Sequence, residues 1–97
     1  MTKTDIIHEQ NAKSGRYVIP LAANAKAQMT YRRVAPTTIS IDHTVVPPEF
    51  RGKNIAEKLM LRAIEDAQAS GDKIIPACSY VATQFKRHPE WAHLLAS

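Results

Sequence analysis

In the first half of the chain apolar residues recur at every second position, and clusters of turn-forming residues interrupt them. This is the pattern of short strands with one buried face each. The alternation predicts a first strand over residues 6–11 and a hairpin connection at 11–15. A second strand follows over 16–21, with Tyr17, Ile19 and Leu21 on one face. Beyond a turn at 22–25, Ala27, Met29 and Tyr31 alternate with Gln28, Thr30 and Arg32 in a third strand over 26–34. Ala35, Pro36 and Thr37 turn the chain into a fourth strand over 38–46. There the alternation puts Ile39, Ile41, His43 and Val45 on one face and Ser40, Asp42 and Thr44 on the other.

Pro47 and Pro48 remove two backbone donors and end that ladder. The period then changes. Over 52–70, Ile55, Leu59, Ala63 and Ala67 fall on one helical stripe widened by Ala56, Met60 and Ile64, and the charged residues lie mostly outside it. Gly71 ends the helix. Residues 73–78 read as a fifth strand, which after a helical crossover returns parallel to an earlier one. Ser79 opens a second helix, Pro89 breaks it, and 90–96 form a last amphipathic turn whose Trp91, Leu94 and Leu95 pack onto the sheet. The predicted architecture is α+β, with layering like that of a three-layer α/β protein: an antiparallel four-strand meander, a helix, a parallel fifth strand and a C-terminal helix.

At 97 residues the pattern belongs to a single domain, and a hydrophobic fraction of 44% is ample for one core. Cys78 is the lone cysteine, so no disulfide within the chain supports the fold, and a reducing, cytoplasmic setting is expected. Residues 1–7 hold no apolar run of leader length, and nowhere do the roughly twenty apolar residues of a membrane span occur. A net charge of +4 favours an anionic partner. The basic residues are scattered and only six aromatics are available to stack bases, which argues against nucleic acid and leaves a phosphorylated ligand.

A strand, a loop and the first turn of a helix form a natural anion cradle. The first N–H groups of a helix have no intrahelical partner, and its macrodipole is positive at that end. The cradle falls on residues 51–56. There Arg51-Gly52-Lys53-Asn54-Ile55-Ala56 resembles the pyrophosphate loop of the GNAT (Gcn-five-related N-acetyltransferase) superfamily, Gln/Arg-x-x-Gly-x-Gly/Ala. The resemblance extends over His43-Thr44-x-Val46-Pro47-Pro48-Glu49-x-Arg51-Gly52, Pro76-x-Cys78-Ser79-Tyr80-Val81 and His88-Pro89-Glu90, as in small stand-alone GNAT-like proteins. It implies a minimal GNAT fold that binds acetyl-coenzyme A through Val45, Val46, Arg51, Gly52, Lys53, Asn54, Ile55 and Ala56. The implied activity is transfer of the acetyl group to a primary amine by a monomer or weak dimer; the alternative is a coenzyme A-binding module with little turnover. No metal is implied. Asn54 stands where larger relatives have glycine. It either adopts the left-handed geometry that asparagine tolerates or sits in an ordinary first helical turn.

Three residues are candidates for chemistry under this resemblance. His43 is a candidate general base just before the loop, although its parity with Ile39 and Ile41 equally suits a buried core histidine. Tyr80, opening the last helix, is a candidate acid for the departing thiolate, or a packing residue with a satisfied hydroxyl. Cys78 is a candidate nucleophile beside the thioester, or simply a buried thiol. In the family the fourth and fifth strands splay apart to admit the pantetheine arm. Pro76, lacking an N–H, suits the point where pairing stops, or marks an ordinary edge strand. The histidines and Cys78 show no recognised zinc spacing.

Overall fold

The fold grows from a four-strand meander that turns at short, polar connections. A computed structural model describes residues 6–96; most of the segment read for a leader, residues 1–5, lies outside them. Strands β1 (Ile7–Gln10), β2 (Ser14–Pro20), β3 (Lys26–Ala35) and β4 (Thr38–Val45) pair antiparallel in chain order. Helix α1 (Ile55–Ser70) then carries the chain to β5 (Lys73–Pro76), which lies parallel to β4. Helix α2 (Ser79–Arg87) and a 3-10 turn (Pro89–Leu94) complete the chain. Most predicted elements are present within a few residues. Helix α1 starts three residues late because Gly52 and Asn54 are left-handed, and β5 ends at Pro76 rather than Cys78.

The sheet buries one face. Tyr17, Ile19, Ala27, Met29, Tyr31, Ile39, Ile41 and Ile74 form one apolar cluster with Ile55, Leu59, Met60, Ala63, Ile64 and Ala67 of α1 and with Val81, Phe85, Trp91 and Leu94. Both helices therefore cover the same face, and the fold is a two-layer α+β structure. The expected α+β fold is observed, an antiparallel meander with a parallel β5, and the apolar edge of α2 joins the α1 cluster. On the other face Ile7, Val45 and Ile75 stay 46%, 51% and 38% exposed.

Two devices fix α1 against the sheet. At its C-terminus Gly71 adopts φ +80°, and the Gly71 and Asp72 N–H groups both donate to the Ala67 carbonyl, ending the helix. Asp72 then accepts two hydrogen bonds from Arg33 of β3, and this guanidinium holds its carboxyl below the usual range. Midway along α1, the Tyr17 hydroxyl donates to Asp66 at 2.8 Å.

A bulge in β4 decides what faces the helices. Tyr31 pairs with Ile41 but Thr30 pairs with His43, so Asp42 is the extra residue and alternation restarts after it. His43 and Val45 consequently share the open face with Thr30 and Gln28, while Thr44 points inward opposite Met29. The expected common face for Ile39, Ile41, His43 and Val45 is thus corrected; unbroken parity cannot anticipate an inserted residue.

Candidate functional site

The site begins where β4 loses its partner. Pairing with β5 runs from Thr38–Lys73 to Ile41–Pro76 and stops there, although β4 continues to Val45. Pro76 has no N–H to extend the ladder. Beyond it the Cys78 N–H makes one last bond to the Ile41 carbonyl, at 2.9 Å. The bulge and the proline together open a gap between the strands, which agrees with the splay implied by the resemblance.

After Val45 the two prolines lead through a 3-10 turn (Pro48–Phe50) to the loop before α1. Gly52 has φ +82°, and nothing lies within 4 Å of where its Cβ would be. Asn54 has φ +61° and ψ +25°, so of its two readings the left-handed one is observed. The Asn54 side chain does not cap the helix. Among the described residues, the backbone N–H groups of residues 52–57 have no protein acceptor. Arg51 bends back to donate from Nε to the Val46 carbonyl at 3.2 Å, which holds its guanidinium beside the loop.

These features border a pocket of about 600 Å³. Of the eight residues expected to hold a cofactor, Val45, Val46, Arg51, Gly52, Asn54, Ile55 and Ala56 line it; Lys53 is exposed and does not. Tyr80 lines it too. Its phenol is pushed above its ordinary pKa by burial and then by Glu57, with Arg87 opposing, so it carries its proton at neutral pH.

Cys78 stands at the rim rather than in the lining. It occupies the N-cap position of α2, half-buried, and its thiol donates to Thr44 Oγ1 at 3.6 Å. Thr44 itself lines the pocket. His43, on the opposite face of β4, is exposed and outside the lining. Glu57, Gln84, Arg87 and His88 were missed as lining residues. The signal was the helical spacing of Tyr80, Gln84 and Arg87/His88, one stripe beside the buried Val81 and Phe85. No cluster of three metal-ligating side chains occurs among the described residues.

A family model described as GCN5-related N-acetyl-transferase matches residues 16–94. The chain belongs to this family. It is also similar to Protein NATD1 of Danio rerio, 29% identical over 87 residues covering 89% of this chain and 79% of that protein. Protein NATD1 of Xenopus tropicalis is 28% identical over 82 residues, covering 84% and 75%. A GCN5-like protein of Staphylococcus aureus, solved in solution by NMR, superposes with a TM-score of 0.76 at 28% identity, covering all of this chain and 92% of the other. The membership fits the loop: in a fold of the GCN5-related N-acetyltransferases, N–H donors without acceptors, an open glycine and Arg51 suit a pyrophosphate, and the unpaired end of β4 suits an amide-bearing arm.

Proposed function

We propose that the chain is an N-acetyltransferase that binds acetyl-coenzyme A in this pocket and passes the acetyl group to a primary amine of a small molecule or protein. The observation that carries the reading is the row of N–H groups of Gly52, Asn54, Ile55, Ala56 and Glu57, which have no protein acceptor among the described residues and whose residues line one pocket with Arg51 and Tyr80. The backbone of residues 52–56 and Arg51 hold the pyrophosphate, and the free edge of Val45 and Val46 aligns the pantetheine. The bound thioester supplies the activated acetyl group. The amine nitrogen bonds to the carbonyl carbon, the carbon–sulfur bond breaks, Tyr80 gives its proton to the sulfur, and the amine releases its own proton to water. Cys78, engaged with Thr44 at the rim, takes no acetyl group, and attack is direct. The lone free thiol, Cys78, suits a reducing, cytoplasmic setting.

One observation favours the second reading, a coenzyme A-binding module. His43, the candidate general base, lies on the far face of β4 and outside the pocket lining. Titration with coenzyme A followed by amide chemical shifts tests both readings. Shifts should concentrate at residues 44–46 and 52–56, and Arg51→Glu should weaken binding by at least tenfold, on the order of one charge-assisted contact. A lack of shifts would end the cofactor reading. In a transfer assay with a panel of amines, Tyr80→Phe should slow turnover about a hundredfold with affinity unchanged; binding without any transfer would leave the module.

A further inference from the structure

Helix α2 presents a stripe to the pocket: Tyr80 at its first turn, Gln84 one turn on, then Arg87 and His88 at its end. At a rise of about 1.5 Å per residue, Arg87 stands roughly 10 Å along the helix from Tyr80. The wall therefore runs from a phenol at the β4–β5 gap to a cation at the far end. Arg51 and the N–H groups of residues 52–57 lie on the opposite wall, at the start of α1.

The charges in this pocket are unevenly matched. Its lining carries Arg51, Arg87 and a single carboxylate, Glu57, which pairs with neither. The acid nearest in sequence to Arg87 is Glu90, and His88 takes it: His88 Nδ1 and Glu90 Oε2 are 3.0 Å apart, with His88 also stacked on Trp91. Arg87 has no ion-pair partner among the described residues. A cation at a helix C-terminus complements the macrodipole, and that accounts for Lys86 as well. Only Arg87 of the two lines the pocket, and its charge is felt by the Tyr80 phenol.

From this arrangement we infer that Arg87 binds the ribose 3′-phosphate of coenzyme A and makes the site selective for coenzyme A over 3′-dephospho-coenzyme A. The inference rests on the cofactor reading above and adds the residue that reads the second anionic group. The pyrophosphate is already met by the loop N–H groups and Arg51. A second guanidinium across the pocket, with no carboxylate of its own, is matched to a further phosphate, which it can grip with two parallel N–H donors.

Isothermal titration of the full chain with coenzyme A and with 3′-dephospho-coenzyme A tests this. Wild type should prefer coenzyme A on the order of tenfold, the worth of one charge-assisted contact. Arg87→Gln should lose that preference while keeping wild-type affinity for the dephospho form, and Lys86→Gln should retain the preference. Both positions are exposed, and a thermal melt confirms that the variants fold. Equal weakening of both ligands by Arg87→Gln would place this residue on the pyrophosphate and overturn the assignment, as would a wild type that does not discriminate. If wild type binds neither ligand, the cofactor reading itself falls, and this inference with it.

Discussion

Asn54 carries a conformational cost that only a few residue types bear. A left-handed backbone costs a typical L-residue roughly 1–2 kcal/mol, and asparagine less, because its short amide bonds locally. At φ +61° it turns the loop into the first turn of α1, beside the pocket that it lines. Asn54→Gly should therefore match or exceed wild-type stability in urea unfolding and keep coenzyme A binding. Asn54→Val should lose about 1–2 kcal/mol and bind more weakly, since a β-branched side chain is the poorest fit to this geometry. The sequence narrowed Asn54 to two geometries and went no further; which one forms depends on how Arg51 and the preceding 3-10 turn close the loop.

Edge strand β1 and the second half of α1 are joined through a polar cluster. His8 stacks on Tyr17 with ring centroids 4.2 Å apart, and its Nε2 is 2.7 Å from the Tyr31 hydroxyl. Asp66 accepts from Tyr17 and pairs with Arg62 of its own helix. His8 Nδ1 lies 3.8 Å from Asp66. Burial lowers the His8 pKa; Asp66 opposes this and Arg62 adds to it. The fold thus favours the neutral ring, and protons bind the unfolded chain more readily. Stability should be complete above the unfolded value of about 6.5 and should decline as pH falls through the lower folded value. Urea midpoints at pH 7.5 and 5.5 should differ more for wild type than for His8→Gln, which keeps a polar partner for Tyr31 and does not titrate. Alternation exposed the strands, and the 3.6-residue period exposed α1. Neither exposes a cluster assembled from residues 8, 17, 31 and 66, whose contacts are long-range and polar.

Taken whole, the molecule is a mixed sheet packed against its helices, with a pocket beside the end of β4 that β5 leaves unpaired. The meander and the crossover were legible, because hydrophobic period and the stop at Gly71 are local signals. The position of His43 was not, since it depends on pairing between distant segments. Behind it lies Asp42, one residue more than its partner strand can match. Because alternation restarts after the bulge, deleting Asp42 would restore regular pairing without changing the face of any residue: Thr44 would still point inward, His43 and Val45 outward. What would go is the added bend and twist that carries β4 away from β5. A chain shorter by this one codon should fold, losing the ion pair to Arg32 and the acceptor of the buried Ser40 hydroxyl, yet bind coenzyme A poorly because its slot has been straightened shut. Circular dichroism beside a ligand titration would separate the two effects. In that sense the parting of β4 from β5 is an insertion, one amino acid long, in a sheet that would fold without it.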